Sequence, residues 1–214
     1  MKSFIKITES QIDADFEGYY SEIEDPWLQS EPSNRLESRR ILAIRWVEQL
    51  LNDKVAHSAC EVGCGLGHLT GDLVGRGFQC IGSDTAKSAI DRAKMIHNNN
   101  HFYQADFNDF NFYKAHDIDL FILSEITWYI LPHLDDFLDF LREEAVRRGR
   151  PIYLIHLLSV YPDGLQKYGC DYFTNLDQIM EYFGFDYLEY GSVSRRHSTN
   201  ETYHGTYFIG RVMP

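Results

Sequence analysis

The run Glu61-Val62-Gly63-Cys64-Gly65-Leu66-Gly67 decides how this 214-residue chain is read. Glycines at alternate positions let the backbone turn tightly and approach a ligand with no Cβ in the way. Before the run, Val55 to Val62 is a short apolar stretch; after it, residues from His68 to about Arg76 have helical spacing and stop at Gly77. The run is therefore a junction from strand through loop to helix. The alternation continues downstream. Strands are expected over Phe78 to Ser83, His101 to Ala105, Ile118 to Ser124 and Ile152 to Leu158. Helices are expected over Thr85 to His97, ended by Asn98-Asn99-Asn100, over His133 to Arg148, closed by Gly149, and over Asn175 to Phe183, stopped by Gly184. Alternation of this kind predicts an α/β fold with a doubly wound, mostly parallel sheet and ligands at the strand C-termini. The tail breaks the pattern: Phe185 to Val193 and Thr202 to Val212 are β-rich and joined only by a polar loop, so they form an antiparallel hairpin. Seven strands result.

Upstream, residues 1–33 are acidic, aromatic and weakly periodic, and are read as an arm or lid; residues 34–214 form the main domain. Ser33 or Asn34 is the expected cap of a helix from Arg35 to Leu51, with Leu36, Ala43, Val47, Leu50 and Leu51 near one face. The net charge of -12 disfavours a phosphate backbone or an anionic membrane surface as partner. The N-terminus has no apolar signal core, and no long apolar run reaches the ~18 residues of a membrane span. Cys60, Cys64, Cys80 and Cys170 form no Cys-x-x-Cys pair, so no zinc or other metal site is expected and a reducing cytoplasm fits.

Two nucleotide-type readings compete for the glycine loop. A dinucleotide fingerprint needs a third glycine where this chain has His68. The observed register, Gly63-x-Gly65-x-Gly67 with Glu61 two residues before it, resembles the class I methyltransferase family and its Rossmann-like fold. The resemblance implies S-adenosylmethionine as cofactor, leaving S-adenosylhomocysteine, with Glu61, Gly63, Gly65 and Gly67 around its methionine part. Asp84, ending the second strand, has the chemistry to hold a ribose diol, with Thr85 beside it. Gln104-Ala105-Asp106-Phe107 resembles the family's adenine site, Asp106 accepting from the exocyclic amine and Phe107 covering the ring. Glu125, leaving an apolar strand at its C-terminal edge, is costly there unless functional or paired.

A narrower resemblance rests on Asp25-Pro26-Trp27, on Asn34-Arg35-Leu36-Glu37-Ser38-Arg39-Arg40, and on Ser124-Glu125-Ile126-Thr127-Trp128-Tyr129-Ile130-Leu131. It covers roughly residues 25–157 and is to the nodulation-protein S family, N-methyltransferases of amino-sugar substrates. It places Trp27 and Arg39 at the cofactor, with Arg39 or Arg40 pairing to an arm carboxylate such as Asp25, and Tyr20, Trp128 and Tyr129 around an acceptor. Methyl transfer to an amine requires the neutral nucleophile, so a carboxylate or imidazole must take a proton. Glu125 is the first candidate and His156 the second, since an imidazole titrates near pH ~6.5. Arg195-Arg196-His197 is expected in the hairpin loop. The expected partner is a small-molecule acceptor, and the chain is a monomer or homodimer. O-methylation, a non-catalytic cofactor-binding protein and a nicotinamide oxidoreductase are the alternatives.

Overall fold

A computed structural model describes residues 4–8, 12–35, 37–161, 166, 168–196 and 202–214. Leu36, His197 and most of the hairpin loop lie outside these residues. The strands are β1 (Ile5–Ile7), β2 (Ile12–Ala14), β3 (Ala59–Val62), β4 (Cys80–Asp84), β5 (Phe102–Gln104), β6 (Leu120–Ser124), β7 (Ile152–Val160), β8 (Asp186–Arg196) and β9 (Thr202–Val212). The helices are α1 (Phe16–Glu22), α2 (Pro32–Arg35), α3 (Ser38–Asn52), α4 (His68–Gly75), α5 (Lys87–His97), α6 (Phe110–Ala115), α7 (Thr127–Ile130), α8 (Leu134–Arg148) and α9 (Leu176–Phe183). Seven strands form one sheet in the order β5-β4-β3-β6-β7-β9-β8, while β1 and β2 pair apart. The fold class is as expected: an α/β Rossmann-like sheet, mostly parallel, with helices between strands and an antiparallel hairpin at its end.

The chain divides into two compact units at Ile122, inside β6, except that the described residues 6–8, 12 and 13 group with the second unit. In the first, β3 pairs parallel with β4 and β4 with β5, which points Val62, Asp84 and Gln104 toward one edge. In the second, β9 lies between β7 and β8 and is antiparallel to both. Eight of the nine residues of β7 are buried, as suits a strand covered on both faces. Phe121, Ile122 and Leu123 of β6 are fully buried, each contributing about 1.5–3 kcal/mol of apolar transfer.

Several boundaries differ from expectation for physical reasons. Ser33 and Asn34 fall within α2, and α3 begins only at Ser38, because the Glu37 carboxylate caps it by accepting from Arg40 N at 3.2 Å. Helix α6, capped by Asp109, is too short to show periodicity. The hairpin strand β8 runs on to Arg196, so Arg195 and Arg196 belong to the strand rather than to a loop.

Candidate functional site

The glycine loop takes the conformation its residues require. Gly63, Gly65 and Gly67 have φ of 68°, 55° and 71°, left-handed values that exclude ordinary side chains. Space excludes them as well: a Cβ on Gly67 would enter the Phe102 ring, and one on Gly65 would strike the Gln29 amide and the Tyr20 hydroxyl. Gly67 also opens α4 without a side-chain cap. Glu61 supplies the missing acceptor, taking the Thr70 backbone N–H at 2.9 Å and its hydroxyl at 2.6 Å. The end of β3 is thereby tied to the first turn of α4, where a negative charge is favoured. Burial pushes the Glu61 carboxyl up, and the Thr70 bonds and the Arg40 charge oppose that.

Asp84 ends β4 beside the loop. Its Oδ2 accepts from Gly65 N and its Oδ1 from Ala86 N, each at 2.9 Å. It is 9% exposed, and burial raises its carboxyl against the pull of these N–H groups. Each oxygen retains a lone pair, so the carboxylate fits a diol. Thr85 donates its hydroxyl to Asp106 Oδ1 at 2.6 Å, which brings the ends of β4 and β5 together as the cofactor reading requires. Phe107 is half-buried next to Asp106. Gln104, absent from the expected site, holds the Thr85 carbonyl at 3.1 Å.

Residues 14–33 of the arm lie against this loop within the same unit. Tyr20, 3% exposed, packs with Leu66, Ala86 and Ala89, and Phe16 and Trp27 close the cluster. Burial and the Asp84 charge push its phenol well up. Trp27 sits edge-on to Tyr19 at 5.3 Å. Glu17 accepts from Ser88 N (3.0 Å) and Ser88 Oγ (2.5 Å), capping α5 from outside, and these bonds lower its carboxyl. Arg92 reaches back to the carbonyls of Ile23 and Glu24. The expected pairing of Arg39 or Arg40 with Asp25 does not occur. Asp25 spends both oxygens on Gln29 N and Ser30 N, each at 2.8 Å, folding its own turn. Arg39 pairs instead with Glu37 (2.8 Å) and Arg40 with Asp72 (3.0 Å), which Arg35 also joins. Sequence reasoning missed Gln29, whose Oε1 accepts from Leu66 N at 2.8 Å, and Ser30, whose hydroxyl meets His68 Nε2 at 2.9 Å. Burial, His97 and nearby arginines press the His68 imidazole down to about 4.

The second unit holds the other expected residues. Glu125 has φ of 62°, rare for a residue with a Cβ. Its backbone N–H reaches Leu157 O at 2.8 Å. Its exposed carboxylate takes Ser159 N at 2.8 Å and Ser159 Oγ at 3.0 Å. A strained backbone held by such bonds is a common mark of functional positions. Trp128 is 9% exposed, its indole N–H on Ser159 O at 3.0 Å and its ring 5.3 Å from Phe173. Tyr129 beside it is half-buried. His156 departs from the expected role of proton acceptor at the substrate. It is fully buried, its Nε2 2.8 Å from Thr127 Oγ1 and its ring 4.8 Å from both Phe183 and Phe208. Helices α7 and α9 and strand β9 build this cage, so nothing near His156 in the sequence revealed it. Among the described residues no group of side chains could hold a metal, and no helix is long and apolar enough to cross a membrane.

Residues 60–149 match the methyltransferase-domain family. Solved structures share the fold. The N-methyltransferase NodS from Bradyrhizobium japonicum WM9, in complex with S-adenosyl-L-homocysteine, aligns with a TM-score of 0.64 at 18% identity over 91% of this chain and 95% of its own. The bifunctional kinase-methyltransferase WbdD aligns with a TM-score of 0.60 at 16% identity, over 86% of this chain but 41% of that longer one. Magnesium protoporphyrin IX methyltransferase from Synechocystis PCC 6803, with bound S-adenosylmethionine, gives 0.53 at 15% identity over 86% and 84%. A search of curated proteins gave no match. The loop, open only to glycine, and the Asp84 carboxylate beside it fit the S-adenosyl group that the NodS and magnesium protoporphyrin IX methyltransferase structures hold. The domain match runs from the loop's own strand through α8: residues 60–149 carry a methyltransferase domain, on the fold that NodS also has.

Proposed function

We propose that this chain is a class I methyltransferase that uses S-adenosylmethionine to methylate a small-molecule acceptor at nitrogen, the amine of an amino sugar or a similar metabolite. The observation that carries the small acceptor is the arm, which packs Tyr20 on Leu66 and bonds Gln29 to the Leu66 N–H, covering the rim of the glycine loop. The acidic net charge of -12 further disfavours nucleic acid. The amine is supported by the fold shared with an N-methyltransferase over nearly the whole chain.

The bound cofactor supplies a methyl group on a sulfonium. Asp84 holds the ribose hydroxyls, Thr85, Asp106 and Phe107 the adenine side, and Glu61 with Gly63, Gly65 and Gly67 shapes the methionine side. Trp27, packed on Tyr19, and Arg39, paired with Glu37, act on the cofactor indirectly, by positioning the segments beside it. Trp128 and Tyr129 wall the acceptor, since aromatic faces attract an amine or its cation. Glu125 takes the amine's proton at Oε1 or Oε2; both oxygens are oriented by Ser159 and the residue is exposed. His156 is a positioning residue, holding Thr127 at the start of α7. The free buried thiols of Cys60, Cys64 and Cys80 support a reducing, cytoplasmic setting.

The test supplies methyl-labelled S-adenosylmethionine with three acceptor pools: amino sugars and small amines, hydroxylated metabolites, and cell macromolecules. Label in the first pool supports the proposal. Label in the second makes this an O-methyltransferase, and label confined to the third overturns the substrate class.

A further inference from the structure

Gln29 engages two groups on the rim of the glycine loop. Its Oε1 accepts from Leu66 N at 2.8 Å, and its Nε2 approaches Cys64 O at 3.5 Å. A carboxamide carries one acceptor and one donor on adjacent atoms. An α-amino acid offers the same pair, its carboxylate accepting and its ammonium donating. Gln29 thus presents to the loop the polar pattern of the cofactor's amino-acid end. Its placement is built, not incidental. Asp25 uses both carboxylate oxygens to fold the turn that delivers it, Ser30 meets His68 one residue later, and Gly65 lacks the Cβ that would collide with the amide.

We propose that Gln29 competes with the amino-acid end of S-adenosylmethionine for the Leu66 N–H and Cys64 carbonyl. Residues 25–30 must then lift from the loop as cofactor enters. This rests on the cofactor reading of the loop. Its consequence is a lowered apparent affinity: the apparent Kd is the intrinsic Kd divided by the fraction of molecules with the arm raised. In exchange the loop groups stay hydrogen-bonded whenever the arm is down.

The test compares the full-length protein with Gln29→Ala and Asp25→Asn. The second variant loosens the turn without touching the loop groups. S-adenosylhomocysteine affinity is measured by calorimetry, and amide hydrogen exchange is followed over residues 25–31 with and without that ligand. Gln29→Ala is expected to bind about tenfold tighter (~1.4 kcal/mol), and Asp25→Asn to shift the same way by less. In the unaltered protein the ligand speeds exchange over 25–31. Weaker or unchanged binding by Gln29→Ala, or slower exchange on adding ligand, overturns the proposal and makes Gln29 a cover over bound cofactor. If neither the unaltered protein nor the variants bind the ligand, the cofactor reading itself fails. That failure is distinct, because exchange over 25–31 then ignores the ligand in all three proteins.

Discussion

Replacing Asp84 with asparagine tests the site and the fold at once. The carboxylate accepts one backbone N–H on each oxygen, from Gly65 and from Ala86, and is 9% exposed. Asparagine keeps one acceptor. Whichever way the amide turns, its NH2 faces one of the two backbone N–H groups, leaving that donor unsatisfied at a cost of about 1–3 kcal/mol. Removing a carboxylate whose ionisation burial opposes offsets part of this. A net loss of ~2 kcal/mol follows, and for a chain of this size that lowers Tm by about 4–8 °C. On the ribose role proposed for Asp84, bonds from the hydroxyls to a charged acceptor become bonds to a neutral one, a loss of ~1 kcal/mol each. Two such bonds make S-adenosylhomocysteine bind about 30-fold more weakly. Scanning calorimetry of both proteins, followed by titration at a temperature where both are folded, separates the effects. A Tm within about 1 °C and a Kd within about twofold of the unaltered protein would refute both the anchoring and the ribose reasoning. A lowered Tm with unchanged affinity would refute the ribose role alone.

Glu61→Ala leaves the Thr70 N–H and hydroxyl without their acceptor; a stability loss of ~2 kcal/mol is expected by urea unfolding, and an unchanged midpoint would show that α4 starts without this tie. Glu125→Gln retains an acceptor and a donor for Ser159, so Tm should hold within about 2 °C while turnover falls at least about tenfold and S-adenosylhomocysteine affinity stays within about twofold; equal losses in turnover and affinity would make Glu125 a binding residue. The Glu17 carboxyl is lowered chiefly by its Ser88 bonds, so the stabilisation it lends the arm is complete above the ordinary glutamate value and fades as pH falls through the lowered one. Because Glu17 is almost fully solvated, the effect is small. Protection factors for amide exchange over residues 16–22, corrected for the intrinsic pH dependence, should fall modestly on acidification below pH 4.5, and Glu17→Gln should show the lower protection already at neutral pH; an arm equally protected at both pH values contradicts the latch.

The parts of this protein readable in one dimension are those ruled by neighbours in the chain. The glycine loop needs positive φ at Gly63, Gly65 and Gly67, and only glycine takes it cheaply. Asn98 and Gly184 end their helices in the same left-handed conformation, and Asn175 caps α9 through its own side chain. Helix and strand periods therefore determined the α/β class, the hairpin, and the placing of Glu61, Asp84, Asp106 and Glu125 at strand ends. Only the tertiary structure decided what those side chains touch. Gln29 meets Leu66, Gly65 meets Asp84, Ser159 meets Glu125 and Thr127 meets His156 across 37, 19, 34 and 29 residues of chain. Arg39 and Arg40 chose Glu37 and Asp72 over Asp25, whose oxygens a local turn had already claimed. No periodicity encodes such pairings. Each is a competition among many acceptors of similar strength, and burial settles it by making an unmet polar group far costlier inside the fold than in water.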